Sequence, residues 1–254
     1  MGLIMKAKVL SVYDEGALED TPFIGAKGFS VLVEADGQRT LFDTGMRGRY
    51  LIHNLDYHDI KPDTIDRVII SHNHRGNMGG LGKLLDERKE PLDIYVNGQF
   101  SSLKKMFGRS LFTEEQASKA VIHVMEGDMR FSDHVSVIGP FGELEEYSLV
   151  LSSSKGPVVI TSCYHSGTDC VLSRVKKTFG KDPCHLIGGL HMHRANQAVV
   201  NPTADILESY GSPHLSMCHC AKESGAVTYL RVRFNLKGVD DFHVGTTVEF
   251  KVRE

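Results

Sequence analysis

The sequence predicts a mixed α/β protein whose sheets are flanked by helices. Apolar, strand-like stretches recur along the chain with turn signals between them. A hairpin stands near the start, and strands then alternate with helices in two similar halves, as in layered α/β architectures. The chain has 254 residues, 41% of them hydrophobic, which is enough to bury a sizeable core. Because no low-complexity linker divides it, we expect a single domain over residues 1–254.

The first half is expected to consist mainly of strands. The motif ADGQ marks a hairpin turn between the second and third of them. A helix is predicted from Leu81 to about Lys89, after a glycine-rich turn, and a short helix over residues 113–119. The predicted strands are KAKVLSVYD, GFSVLVEAD, RTLFDTG, DRVIISH, PLDIYVN, AVIHVME, HVSVIGP and SLVLSSS.

The second half alternates helices with strands that run into loops. The predicted helices are TDCVLSRVKKTFG and ADILESYG. The predicted strands are GPVVITSCYH, PCHLIGGLH, HLSMCHC and, last, GTTVEFKV. This alternation places polar loops directly after buried strands.

The charge balance argues against some classes of partner. Lys and Arg number 29 against 32 Asp and Glu, a net charge of −3, so no overall basic field would hold nucleic acid. No segment approaches the ~20 apolar residues of a membrane span, and the first residues lack the apolar run of a signal peptide. We therefore expect a soluble, cytoplasmic protein without nucleic-acid or membrane partners. The sequence does not indicate the oligomeric state.

The five cysteines, all in the second half, indicate no disulfide framework because their number is odd and their spacing irregular. Cys218 and Cys220 flank a histidine, but the CxxC pattern of a structural zinc site is missing. We interpret both as small, buried hydrophobic residues.

Histidines that follow predicted strands are the most informative feature of the sequence. Loops at strand ends are where α/β folds collect ligand-binding groups. Strand ends from distant parts of a chain converge on one edge of a sheet, so these residues are expected to form one site. An aspartate in LFDTG lies in the same kind of position as the five histidines. The six residues are Asp43, His72, His74, His165, His191 and His219.

Such a group of residues is typical of a metal site. Neutral imidazole binds zinc, iron and related divalent ions, and three histidines leave one position open for an activated water. His72 and His74, two apart at a strand end, project to the same side and suit one ion, with His165 as the third ligand. The other histidines are interpreted as structural or surface residues: His53, His58, His123, His134, His185, His214 and His243.

Six motifs, in their order and spacing, resemble the metallo-β-lactamase superfamily. They are LFDTG, IISHNHRGNMGGL, TSCYHSG, IGGLHMH, MCHCAKE and VGTTVEF. More narrowly, they resemble the branch of metal-dependent hydrolases similar to dihydropterin-ribofuranosyl-aminobenzene-phosphate synthase, from about Val9 to Phe250. The resemblance implies a four-layer αββα sandwich with the metal site at the edge between the two sheets.

The family pattern His-x-His-x-Asp-His is incomplete in this chain. His72 and His74 match the first two positions, but Gly76 replaces the aspartate and Asn77 replaces the last histidine. The second metal site therefore lacks a carboxylate and an imidazole, which weakens a mechanism that uses two ions. A mononuclear centre and an unusual second-metal geometry both remain open.

The resemblance also implies roles for residues elsewhere in the chain. His165 becomes the third ligand of the first metal, and His219 matches a late histidine that binds the second. Asp43 matches the aspartate that supports the centre, and His191 lies near the position of a metal-bridging acid in other branches. We predict His219, His191 and Asp43 as catalytic residues, the two histidines as general acid and base.

Three further residues are predicted to bind substrate. Arg75 lies between ligand positions, Lys222 follows the turn that carries His219, and Asn77 offers a side-chain amide. Cations at these positions suit an anionic substrate. The alternative for Arg75 and Lys222 is that they are solvated loop charges.

These features predict a metal-dependent hydrolase. The resemblance points to a phosphoester or cyclic phosphate of a small pterin- or nucleotide-like substrate, attacked by a metal-bound hydroxide. Zinc is the expected divalent metal, with iron, manganese and nickel as alternatives. The second hypothesis is a non-catalytic binding or sensor protein for a small anion on a degenerate hydrolase scaffold. The retained histidines favour the hydrolase, whereas Gly76 and Asn77 favour the binding protein.

Overall fold

A computed structural model describes residues 5–100, 111–192, 197–218, 225–235 and 238–252. The fold is mixed α/β, with two seven-stranded sheets and helices, as predicted. The chain divides into two compact units. The first unit consists of Ala7–Asp128 and His243–Glu249, and the second consists chiefly of Met129–Phe242. A single domain stays a prediction.

The first sheet starts with antiparallel strands and continues with parallel ones. The first three strands pair antiparallel, and the next three extend the sheet in parallel. The predicted hairpin turn is confirmed, because Asp36 and Gly37 both have positive φ angles between paired strands. The strands, in their order across the sheet, are β14 (Thr247–Val252), β1 (Met5–Tyr13), β2 (Ser30–Ala35), β3 (Gln38–Phe42), β4 (Arg67–Ile69), β5 (Leu92–Val96) and β6 (Ala120–Val124).

Within the described part of the first unit, four α-helices follow these strands. The helix predicted from Leu81 is present, and Thr113 caps the next one by accepting a hydrogen bond from the backbone N–H of Gln116. Apolar side chains from the helices and the sheet form one buried core. The helices are α1 (Gly48–Tyr57), α2 (Arg75–Met78), α3 (Leu81–Asp86) and α4 (Glu114–Lys119).

The sequence did not predict α1, because a buried polar residue interrupts its apolar face. Leu51, Asn54 and Leu55 are the side chains that α1 buries at helical spacing. The Asn54 amide donates to the carbonyls of Val12 and Ile24, both at 3.0 Å, and accepts from the Ile24 N–H at 2.9 Å. These long-range hydrogen bonds satisfy the buried amide.

The second sheet repeats the pattern of the first. In chain order, its first four strands pair antiparallel. The fourth of these strands also begins a run of four parallel strands, so the two halves are similar, as predicted. The strands, in their order across the sheet, are β13 (Val239–Asp241), β12 (His214–Met217), β11 (His185–Gly188), β10 (Gly156–Thr161), β9 (Glu146–Ser153), β8 (Val135–Phe141) and β7 (Met129–Arg130).

The helices of the second unit are α5 (Thr168–Phe179), α6 (Gln197–Ser209) and α7 (Ala226–Arg233). The sequence predicted α5 and the later part of α6 but not α7, whose sequence AVTYLRVR favours a strand. Ala226, Val227 and Leu230 of α7 are buried in the core of this unit, so packing outweighs local preference. Of the helices within the described ranges, none is long and apolar enough to cross a membrane.

His185, the first residue of β11, is a buried histidine that stays uncharged. Its Nε2 atom lies 2.7 Å from the hydroxyl of Ser216 on β12, and its ring lies 4.4 Å from that of His214. Burial, reinforced by the neighbouring His214, lowers the pKa of His185 to about 3. A structural role, as predicted from the sequence, agrees with this position.

We expect His185 to make the protein less stable as the pH falls. Below about pH 6.5 the unfolded chain binds a proton at this residue, whereas the folded chain does not until about pH 3. Protonation of the unfolded chain therefore costs no stability well above pH 6.5, and it lowers the free energy of unfolding by about 3 kcal/mol at pH 4.5. Urea unfolding of wild type and His185→Gln between pH 7 and 4.5 measures this. Equal losses of stability in both proteins would contradict it.

Candidate metal centre

Asp43 organises the loop after β4 in the first unit. It follows β3 directly, is fully buried, and has a φ of 62°. Its carboxylate accepts hydrogen bonds from the backbone N–H and the hydroxyl of Ser71, at 2.7 and 2.8 Å. It also accepts one from the side-chain amide of Asn77 at 2.6 Å. One carboxylate thus connects the ends of two neighbouring parallel strands with helix α2.

The same network fixes the protonation of His72. The Ser71 hydroxyl has one proton, and it donates that proton to the Asp43 carboxylate. The Ser71 oxygen also lies 2.9 Å from Nδ1 of His72, so it accepts a hydrogen bond from that nitrogen. His72 therefore carries its proton on Nδ1, which leaves the lone pair of Nε2 available. An outer hydrogen bond of this kind typically orients a metal-binding histidine.

His72 and His74 direct ring nitrogens at the same point. Nε2 of His72 and Nδ1 of His74 lie 2.9 Å apart, and the two rings meet at 73°. His72 is fully buried, and His74 stands at the N-cap of α2. His74 is exposed as a residue, but its ring is partly shielded from water, and this desolvation lowers the pKa of His74 and favours the neutral form that binds metals. The predicted pair of ligands is thus brought together in the first unit.

Helix α2 carries the three positions that follow the histidine pair. Arg75 is exposed at its first position. A Cβ atom added at Gly76 would lie 3.5 Å from Cα of Gly28, an ordinary contact, so the backbone leaves room for a side chain there. Asn77 is buried, donates to Asp43, and accepts a hydrogen bond from the Thr44 hydroxyl on its carbonyl. This is a structural placement, and binding of substrate by Asn77 stays a prediction.

In the second unit, a buried carboxylate shapes the loop that carries His165. Glu146, the first residue of β9, accepts hydrogen bonds from the backbone N–H groups of Tyr164 and His165 at 3.1 and 2.8 Å. Burial raises the pKa of Glu146, although hydrogen bonds from the 163–165 backbone oppose this shift. Tyr164 has a φ of 65°, so the chain turns sharply there. The residues 163–165 are thus fixed by a side chain far away in sequence.

The remaining predicted residues belong to the second unit or lie outside the described residues. His191 is exposed, and its ring lies 4.5 Å from that of His165, so these two predicted residues are brought together. The thiol of Cys163 and a ring nitrogen of His165 lie within 4.8 Å of each other. His219 and Lys222 lie outside the described residues.

Two replacements of Glu146 are expected to distinguish how its hydrogen bonds and its charge affect the stability of the protein. Glu146→Ala removes the acceptor of buried backbone N–H groups and should lower the free energy of unfolding by about 2–4 kcal/mol. Glu146→Gln keeps one acceptor and should cost less than about 1 kcal/mol. Because the folded pKa is raised, wild type should lose stability as the pH rises through that pKa, and Glu146→Gln should not. Urea unfolding from pH 4 to 7 tests this, and equal costs for both variants would contradict it.

Comparisons with known proteins identify the family of this chain. Residues 25–179 match the sequence profile of the metallo-beta-lactamase superfamily. The chain belongs to this superfamily. Members are generally hydrolases, and the metallo-beta-lactamase fold implies a divalent metal.

Individual relatives are distant but extend over most of the chain. A 7,8-dihydropterin-6-methyl-4-(beta-D-ribofuranosyl)-aminobenzene-5'-phosphate synthase of Methanocaldococcus jannaschii is 21% identical, covering 87% of this chain and 89% of the relative. A metal-dependent hydrolase of the beta-lactamase superfamily superposes with a TM-score of 0.78 at 22% identity, covering 96% and 99% of the two chains. A diphosphatase of the PhnP family gives 0.64 at 16% identity, covering 99% and 100%. The two structures establish the fold.

The donors in this member of the superfamily fit a divalent ion. Two nitrogens bound to one tetrahedral zinc ion at 2.0–2.1 Å lie about 3.3–3.4 Å apart, a few tenths of an ångström more than the 2.9 Å between His72 and His74. The lone pair on Nε2 of His72 is available because Ser71 accepts from the other nitrogen. In the second unit, the Cys163 thiol and the His165 imidazole lie close to each other, and both are donors that suit zinc or iron.

Sequence reasoning missed Ser71, Cys163 and Glu146. Ser71 directly precedes His72 in the motif SHNH, and Cys163 lies two residues before His165, so adjacency was the available signal for both. Glu146 lies 19 residues before His165, in a stretch that contains two other glutamates within four residues, and had no such signal.

Proposed function

We propose that this metallo-beta-lactamase chain is a metal-dependent hydrolase of phosphoesters, including cyclic phosphates, of small pterin- or nucleotide-like substrates. The observation that carries the proposal is the paired imidazoles of His72 and His74, whose nitrogens are 2.9 Å apart. The Asp43–Ser71 network fixes one ring in the tautomer that a ligand needs. A scaffold without metal chemistry has no requirement for such a pair.

The roles of the residues follow from their chemistry. His72, His74 and His165 would hold the ion, with His219 as a further candidate ligand. When bound, a divalent ion acts as a Lewis acid and activates water. His191, exposed beside His165, is the proposed proton carrier, together with His219.

Other residues of the proposed site orient its components or meet the substrate. Asp43 keeps His72 in position without contacting the substrate itself, since it is fully buried. Arg75, exposed one residue after His74, and Lys222 are suited to the anionic group of the substrate.

A phosphoester is the proposed substrate class for two reasons. The Methanocaldococcus jannaschii relative is named for a ribofuranosyl phosphate product, and one structural neighbour is a diphosphatase. An exposed guanidinium beside the paired histidines suits a phosphate better than a neutral amide or ester. Zinc is the proposed metal, with iron, manganese and nickel as alternatives.

A mononuclear centre is the proposed form. Gly76 supplies no side-chain ligand, and the side-chain nitrogen of Asn77 donates to Asp43 and Ser71. In the family pattern these two positions bind the second ion. Here Gly76 has no side-chain donor, and the Asn77 side chain is engaged in hydrogen bonds within the protein. This loss is also the observation that favours the second candidate, a protein that binds a small anion without turnover.

The test combines metal content with turnover. Elemental analysis of protein purified without added metal or chelator should give about one ion per chain. The same protein should hydrolyse bis(p-nitrophenyl) phosphate or a cyclic nucleotide, and lose this activity after chelation. One ion without turnover of either substrate would support the binding protein, and two ions would contradict a mononuclear centre.

A further inference from the structure

Three positively charged residues of the first unit each stand next to a backbone junction that adjoins the helix following the paired histidines. Lys27, Arg47 and Arg75 are all exposed. Within the described ranges no ion pair involves any of them, whereas other basic residues of this unit, such as Arg39 and Lys83, have carboxylate partners. The chain as a whole carries a net charge of −3.

The backbone explains why these three residues are neighbours. Each is adjacent in sequence to one member of a tight junction formed by Gly28, Met46 and Gly76. A Cβ atom added at Gly28 would lie 2.5 Å from the carbonyl oxygen of Gly76 and 2.8 Å from the amide nitrogen of Met46. Gly28 also has a φ of 130°, which side chains rarely permit. The glycine thus allows three segments, each with a cation, to meet.

Hydrogen bonds keep this junction rigid. The N–H of Phe29 donates to the carbonyl of Gly76 at 3.1 Å, and the N–H of Gly45 donates to the carbonyl of Phe29 at 3.1 Å. The N–H of Gly80 donates in turn to the carbonyl of Gly45 at 3.0 Å. The three segments are therefore tied to the helix that starts directly after His74. Preorganised cations lose less entropy on binding an anion than cations on independent loops.

Among the residues that the structure describes, no salt bridge joins Lys27, Arg47 or Arg75 to a carboxylate. The backbone carbonyl of Glu15 lies close to Gly25, two residues before Lys27. Guanidinium groups bind phosphate oxygens through two parallel hydrogen bonds, and an ammonium group adds a point charge.

We propose that Lys27, Arg47 and Arg75 form a binding site for a phosphate dianion or diphosphate group of the substrate. The inference rests on the proposed function and narrows it, because the substrate then carries a terminal phosphate or diphosphate besides the bond that is cleaved. The cluster flanks the helix that follows His74, so the charged end of the substrate is held beside the proposed ligands. Free inorganic phosphate would bind to the same three cations. The test therefore distinguishes a phosphate group of the substrate from free phosphate.

The first arm measures binding without any metal. Isothermal titration of EDTA-treated, full-length protein with inorganic pyrophosphate compares wild type, the three Gln variants and the triple variant Lys27→Gln/Arg47→Gln/Arg75→Gln. Each exposed charge is expected to contribute about threefold in affinity, and the triple variant should lose at least about tenfold. Raising NaCl from 25 to 200 mM should weaken binding to wild type more than to the triple variant.

Arg49→Gln is the matched control. Arg49 is exposed on α1 two residues after Arg47, but its guanidinium lies 4.7 Å above the ring of Tyr50 and donates to that hydroxyl. Its replacement should leave pyrophosphate affinity unchanged. Absence of binding to wild type, or an equal loss in Arg49→Gln, would overturn the proposal whether or not the protein is a hydrolase.

The second arm uses metal-loaded protein and bis(p-nitrophenyl) phosphate, which has no terminal phosphate. Pyrophosphate should inhibit wild type competitively, and the triple variant should need at least about tenfold more pyrophosphate for the same fractional inhibition, measured against its own uninhibited rate. Non-competitive inhibition would overturn the assignment to the substrate and indicate a separate site for free phosphate. A protein that binds pyrophosphate in the first arm but hydrolyses nothing would refute the hydrolase and retain the anion site.

Discussion

Replacing His72 with alanine is expected to remove the metal and to lower phosphoester hydrolysis by about 10³-fold. Stabilisation of transition-state charge by a metal ion amounts to several kcal/mol, which corresponds to this factor. The Nε2 lone pair of His72 lies 2.9 Å from Nδ1 of His74, and alanine offers no donor there. Metal content by elemental analysis and the rate with bis(p-nitrophenyl) phosphate measure the effect.

The control for this variant is His123→Ala. His123 belongs to the same unit but is exposed, and it pairs with Asp93 at 2.7 Å. Its replacement should leave metal content and rate unchanged. Because His72 is fully buried, His74→Ala is needed as a second variant, and circular dichroism shows whether each protein is folded. Folded His72→Ala and His74→Ala proteins with wild-type metal content would contradict the assignment of these ligands.

Replacing Asp43 with alanine should cost about 3–5 kcal/mol of the free energy of unfolding. The change removes a buried carboxylate and leaves the Ser71 N–H, the Ser71 hydroxyl and the Asn77 amide without their acceptor. Alanine also fits poorly at a φ of 62°, which aspartate and asparagine tolerate better. Urea unfolding measures the loss, and a cost below about 1 kcal/mol would contradict this role.

Exchanging the two partners tests the same network more sharply. Asp43→Asn alone places two amides against each other, and Asn77→Asp alone places two carboxylates against each other. The double variant Asp43→Asn/Asn77→Asp restores one donor and one acceptor across the contact that is 2.6 Å in wild type. We expect it to be more stable than the sum of the single changes predicts, by about 1–3 kcal/mol. Additive losses would contradict a direct interaction.

Most of the fold was predictable because apolar patterning and turn residues act locally. The hairpin at Asp36 and Gly37, the helices at Leu81 and Thr113, and the alternation in the second half followed from such signals. The missed helices show the limit of this reasoning. Asn54 in α1 is a buried amide whose partners lie 30 and 42 residues away, and no local pattern reveals them.

The candidate site was predictable in its residue types but not in its protonation or support. The motif SHNH and the positions of histidines after buried strands indicated which imidazoles to consider. That Asn77 donates to Asp43 and Ser71 was not apparent, because these contacts depend on how β3, β4 and α2 pack. The role of Glu146 in fixing the loop of His165 was equally hidden.

The sequence by itself determined the class of the fold, the order of the motifs and the imidazole pair at the end of a strand. These depend on periodicity and spacing over a few residues. Tertiary structure alone decided that Ser71 accepts from Nδ1 of His72, and that Lys27, Arg47 and Arg75 are neighbours. The physical reason is the same in both cases. Hydrogen bonds and close backbone contacts between distant segments form only when the chain is folded, and they set the direction of each lone pair and the spacing of each charge.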